Sequence, residues 1–164
     1  MHTSSVPSTK ETPGVGADRS NPVPLNTDTP LDAEWSLKVT SVNFDATAEI
    51  VAANQFNKPP SDGKKYVLVN FEAKYTGTKK TAPYALTLRV VGKATNVSIT
   101  GSENFVVSPH FLDVTQDVCS GAALVADKEF TVAVADLDSL CCTQAPAVRP
   151  TFSSPFANAS VLHC

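Results

Sequence analysis

From Tyr66 to Tyr75 apolar and polar side chains alternate in the longest clean run of the chain. Val67, Val69, Phe71, Ala73 and Tyr75 share one parity, and Tyr66, Leu68, Asn70, Glu72 and Lys74 the other. A period of two places each set on one face of a strand. The second face turns polar toward its C-terminal end, which predicts a central sandwich strand with Phe71 in the core. Pro59 and Pro60 cannot continue a ladder ahead of it, and Asp62-Gly63 supplies a turn. Gly77 ends it.

The other elements are shorter. Trp35, Leu37 and Val39 alternate, and then Val42 and Phe44 take over the apolar parity. The switch predicts a bulge near Ser41. Trp35, the one tryptophan, is expected as a core anchor. Residues 45–57 fit either a short helix or a short strand and turn. Tyr84, Leu86, Leu88 and Val90 predict a third strand, residues 96–100 a fourth and residues 104–107 a fifth. Residues 110–121 read as a loop, with Cys119 packed toward the core. Residues 128–134 read as a strong strand with Phe130, Val132 and Val134 inward. Asp136-Leu-Asp138 reads as a turn and residues 139–144 as a last core strand. Pro146, Pro150 and Pro155 make the end irregular until residue 160. Short strands at such spacing, with no helical stripe, predict an all-β fold: an immunoglobulin-like two-sheet antiparallel sandwich.

Composition adds a boundary. About half of residues 1–33 are Ser, Thr, Pro or Gly, and none is aromatic. Such a segment buries too little apolar surface to offset its chain entropy. It is expected to be a flexible stalk, with residues 34–164 as the sandwich. The opening Met1-His-Thr-Ser-Ser-Val-Pro-Ser has no apolar signal core. A leader is therefore expected to have been removed upstream. No apolar run is long enough to span a bilayer.

The net charge of −3 leaves no basic footprint for nucleic acid. The four cysteines, Cys119, Cys141, Cys142 and Cys164, contain no C-x-x-C pair. An even count in a strand-rich chain predicts two disulfides and an oxidising compartment. Leu140 shares parity with Cys142, so a core-facing Leu140 turns Cys142 inward and Cys141 outward. Cys142 is then expected to pair with Cys119, and Cys141 with Cys164.

Catalytic chemistry is thin. The imidazoles are His2, His110 and His163. A hydrolase site would have to combine His110 with a serine and Asp113 or Asp117, and no nucleophile elbow supports it. The same aspartates, or Asp136 and Asp138, could offer oxygens to calcium, but without EF-hand spacing they read as turn formers. Lys58, Lys64, Lys65, Lys79 and Lys80 read as solvated loop charge, or as a weak anion patch. Asn96-Val-Ser and Asn158-Ala-Ser match the glycosylation acceptor pattern. A carbohydrate-binding sandwich would need a row of exposed aromatics. Its candidates are Tyr66, Tyr84 and Phe105, with alternation placing Tyr84 in the core. No catalytic, cofactor-binding or metal residue is assigned.

Several motifs carry a resemblance over about residues 34–142. They are Trp35-Ser-Leu-Lys-Val-Thr-Ser-Val, Pro59-Pro60-x-x-Gly63-x-x-Tyr66-Val-Leu-Val, Tyr75-x-Gly77, and Glu129-Phe-Thr-Val-Ala-Val before Ala135-Asp-Leu-Asp-Ser-Leu. In these the chain resembles small immunoglobulin-like domains of unknown function from secreted proteins and lipoproteins of Gram-positive, especially actinobacterial, bacteria. A secreted mycobacterial immunogenic protein has a similar sandwich. The paired Cys141-Cys142 and the Pro-rich end depart from that pattern. The resemblance implies secretion, or tethering through a lipid upstream of the stalk, and it implies no reaction. The expected function is a non-enzymatic extracytoplasmic binding or structural module. It would act as a monomer on an unknown protein or cell-envelope ligand, without nucleic acid or cofactor, and would meet the membrane only through that lipid.

Overall fold

The computed structural model describes residues 22–83, 86–145 and 161–163. Two four-stranded antiparallel sheets pack face to face. The first sheet has the order β1-β2-β3-β6, with β1 at Thr29–Pro30, β2 at Trp35–Asn43, β3 at Lys64–Tyr75 and β6 at Ala123–Ala133. The second has the order β5-β4-β7-β8, with β4 at Thr87–Val91, β5 at Ser98–Ile99, β7 at Cys141–Ala145 and β8 at Val161–His163.

Strand β3 is central, as its alternation predicts, with β2 on one side and β6 on the other. Its odd-numbered residues Val67, Val69, Phe71, Ala73 and Tyr75 enter the core between the sheets. There they meet Phe130 and Val132 of β6 and Leu88 and Val90 of β4. Each buried Val, Leu or Phe side chain contributes roughly 1.5–3 kcal/mol. Trp35 is buried against Tyr75, with ring centroids 4.9 Å apart. The register of β2 slips between Val39 and Ser41, which is the expected bulge.

The even-numbered face of β3 is divided. Its first half is covered by a short helix, α1 (Thr47–Ala53), so residues 45–57 resolve as helix and turn. Ala46, Ile50 and Val106 bury Tyr66 and Leu68 in a second, smaller core. Beyond α1 the face is polar: Lys38 bridges Glu72 at 2.9 Å across the β2–β3 pair.

Two of the motifs read from sequence are structural. The Tyr66 hydroxyl donates to Lys58 O at 2.7 Å and accepts from Asn104 Nδ2 at 3.0 Å, pinning the Pro59-Pro60 loop to residues 103–107. Gly63 turns that loop with φ +76°. The Tyr75 hydroxyl folds back onto Lys79 O at 2.5 Å, and a Cβ at Gly77 would stand 2.2 Å from it. Glycine at that spacing is therefore what lets the ring close over.

Several expectations are corrected. The fold reaches back to Pro22: Val23 is buried, Asn26 N–H donates to Val39 O, and β1 pairs with β2. Residues 104–107 form no strand, because Asn104 and Val107 bond to the 57–59 loop and Phe105 takes a left-handed φ of 49°. Strand β6 begins at Ala123 and ends at Ala133. Val134 opens a 3-10 turn, Val134–Ser139, and is exposed. In that turn Asp136 is buried. It accepts the N–H groups of Ala94 and Thr95 at 2.7 and 3.1 Å.

The sheet edges are blunted. β1 carries Pro30 and β5 has only two residues, both devices against strand-to-strand association. β6 is the long edge, and the candidate site lies along it.

Candidate binding cleft at the sandwich edge

Strand parity builds the site. Val134 N–H donates to Gly63 O at 3.0 Å, so the even-numbered residues of β6 direct their backbone groups to β3. The odd-numbered residues direct theirs to the free edge. Thr131 N–H donates to Gly101 O at 3.2 Å, and Asp127 N–H donates to His110 O at 2.7 Å. Between these anchors residues 102–109 arch over the outer face, where Val106 joins the smaller core. The arch leaves the edge at Glu129. Among the described residues, neither the N–H nor the C=O of Glu129 has a hydrogen-bond partner.

A cleft of about 350 Å³ opens at this point, between the arch and the second sheet. Phe71, Leu88, Leu112 and Val114 give it an apolar wall, and Asp127 to Glu129 form its floor. A shallower depression continues past Thr131 to Phe105. Lys128 has the inward parity of Phe130 and Val132, and its Nζ lies 3.4 Å from Glu129 Oε1. An inward-pointing charge on an edge strand also opposes association edge to edge. Glu103 accepts from Lys64 Nζ at 2.7 Å and from Ser61 N–H, and the two donors, the lysine first, hold its carboxyl down at about 2.

His110 and Asp127 clasp the arch to β6. The Asp127 side chain is 3% exposed and that of His110 is 75% exposed. Asp127 Oδ2 accepts His110 N–H at 3.1 Å and faces His110 Nδ1 at 3.1 Å. Asp127 Oδ1 accepts from Asn70, whose Oδ1 accepts from Ser41 Oγ at 2.8 Å. A polar chain thus crosses β2, β3 and β6. Ser108 Oγ donates to Asp127 O at 3.5 Å.

These positions redistribute the residues singled out from sequence. The acid beside His110 is Asp127. Asp113 instead accepts from Thr115 and Gln116 in its own turn, which lowers its carboxyl pKa, and Asp117 pairs with Lys80 at 2.5 Å. Three of the five loop lysines are held by separate carboxylates: Lys64 by Glu103, Lys65 by Asp45 and Lys80 by Asp117. Among the described residues no cluster of three or more His, Cys, Asp or Glu could hold a metal. Tyr66 is buried, Phe105 is 94% exposed, and Tyr84 lies outside the described residues. Phe56 and Phe111 join Phe105 at the surface.

The expected Cys119–Cys142 bridge is not made, and both are free thiols. Val118 takes the core position beside Thr81, so its neighbour Cys119 turns to solvent. Cys142 is in the core as its parity requires, and burial pushes its thiol up to about 12. Cys141 is disulfide-bonded, with a partner outside the described residues. Cys164 and His2 lie outside the described residues as well.

Asp127, Lys128 and Glu129 escaped the sequence reading as a site. Their signal was present: three consecutive charges interrupt an otherwise apolar strand, and Lys128 sits on its inward parity.

The architecture has counterparts in solved structures. A conserved hypothetical protein from Bacillus anthracis superposes with a TM-score of 0.54 at 13% identity, over 73% of this chain and 86% of that one. An uncharacterized beta-sandwich protein from Clostridium difficile gives 0.52 at 8% identity, over 85% and 89%. A candidate lipoprotein from Bacillus subtilis gives 0.55 at 12% identity; 84% of this chain covers 38% of that one. At such identities the likeness is one of fold, a two-sheet β-sandwich. No family model and no curated protein matches the chain. Among the described residues no helix is long and apolar enough to cross a membrane.

Proposed function

We propose that the chain is a non-enzymatic binding or structural module outside the cytoplasmic membrane. In this reading it is an immunoglobulin-like domain, secreted or held at the cell surface through a lipid upstream of its N-terminal segment. It acts as a monomer on a protein or cell-envelope ligand, without nucleic acid. The observation that carries the reading is the edge cleft: it is open and mixed in polarity, and the acid–imidazole pair beside it, Asp127 and His110, is engaged in clasping a loop. A hydrolase centred on His110 would need a nucleophile on the imidazole, whereas the nearby Ser108 hydroxyl is directed at Asp127 O. The likeness to a candidate lipoprotein and the disulfide at Cys141 support the compartment. The partner of Cys141 in this reading is Cys164. That bridge closes a loop of about 22 residues and stabilises by about 3 kcal/mol.

The test has two arms. Esters, peptides and glycosides are offered to the protein, and no turnover is expected; robust turnover abolished by His110→Ala would overturn the reading. A binding screen against cell-wall fragments and surface proteins is expected to return ligands that protect the cleft from amide exchange.

A further inference from the structure

We infer that the cleft takes an extended peptide segment of a partner protein, added as a short strand to the edge of β6 at Glu129. The inference rests on the binding-module reading and names its ligand class.

The backbone supplies the first argument. Glu129 presents its N–H and C=O together toward the cleft, flanked by the closed anchors at Thr131 and Asp127. Two groups of one residue, on one side of an edge strand, are what an antiparallel hydrogen-bonded pair requires. An alkyl chain has neither donor nor acceptor, whereas every residue of an extended peptide carries one of each at the spacing of a strand. Four strand rises separate the anchors, roughly 13 Å, which is room for about three ligand residues.

The walls supply the second. A ligand residue opposite Glu129 shares its face and points under the arch, toward Val106. Its two neighbours take the inward parity of Lys128. Near Asp127 that direction leads to Phe71, Leu88 and Leu112, which select an apolar side chain. Near Thr131 it leads to Ile99, Thr100 and Gly101, in the more open depression.

Charge is the third. Lys128 is paired with Glu129, Lys64 with Glu103, and Asp127 with His110. With these groups engaged with one another, the cleft complements an uncharged segment. Main-chain bonds with pockets for alternate side chains are how strand addition combines affinity and selectivity.

The test pans a displayed library of random nonapeptides on the full chain. The expected result is enrichment of uncharged peptides that share one apolar residue. Methylating the backbone nitrogen of the residue opposite Glu129 should weaken binding at least tenfold, while methylation one residue away should matter less. Glu129→Pro removes the outward N–H and leaves the even-numbered bonds to β3 in place, so it should abolish binding. Val114→Arg, at an exposed wall position, should weaken binding at least tenfold with the fold retained. No enrichment above bare support, or binding indifferent to every backbone methylation, overturns the inference. Cell-wall oligosaccharide protecting the cleft in place of peptide also overturns it, and leaves the binding-module reading standing. Turnover that depends on His110 would remove that reading as well.

Discussion

Cys142 and Cys119 show how burial decides the chemistry of a residue. Cys142 is buried opposite Val90 with its thiol pushed up to about 12, whereas Cys119 faces solvent beside Lys80. The thiolate is the reactive form. Iodoacetamide should therefore label Cys119 in the native protein and reach Cys142 only after unfolding, as read by peptide mass spectrometry. Phe71 is buried at the centre of β3, so Phe71→Ala should cost about 3–5 kcal/mol. A denaturant midpoint equal to that of the wild type would contradict the packing. Glu103 carries a pH dependence of definite sign. Its folded pKa is about 2, below the ordinary 4.5, so its contribution is full above about 4.5 and is lost as pH falls through about 2. Lys64 and Glu103 are partly exposed, so salt should weaken the effect. Urea titrations between pH 5 and pH 2 should show a shallower fall for Glu103→Gln.

Among the elements, the hairpin of the second sheet depends on a contact between distant segments. Asp136 accepts from Ala94 N–H, Thr95 N–H and the Thr95 hydroxyl, and lies against Gly92, where a Cβ would stand 2.1 Å from its carboxyl carbon. Gly92→Ala forces a shift in a filled site and should destabilise by about 1–3 kcal/mol. Asp136→Ala removes the shared acceptor of three donors and should cost at least as much. Thermal unfolding of both variants checks the pair. Helix α1 stands on a different footing. Seven residues are too few to be stable alone, so the helix forms because Ile50 is buried over Tyr66 and Leu68.

At the scale of the whole molecule the sandwich is closed unevenly, with β3 paired on both sides and β6 exposed along one stretch. Amide exchange should follow that asymmetry: slowest from Val67 to Phe71, and faster at Glu129 than at Lys128 or Phe130, whose N–H groups face β3. Equal protection at the three positions would mean the arch covers the edge. The alternation from Tyr66 to Tyr75 was sufficient to identify the central strand, its inward set and Phe71, because period two and burial on one face are local properties. The Val39-to-Val42 switch located the bulge for the same reason, and the spread of short runs indicated two sheets. Three-dimensional contact decided the rest. Residues 1–33 have the composition of a stalk, yet Val23 is buried, Asn26 bonds to Val39 and Thr29–Pro30 pair with β2, because β2 offers an edge to pair with. Cys119 could not be oriented within an irregular loop until Val118 took the core position. His110 lies 17 residues from Asp127, and only the arch brings the two together. The open rung at Glu129 follows from where Gly101 and His110 anchor on β6, a pairing between a loop and a strand edge that no local periodicity encodes.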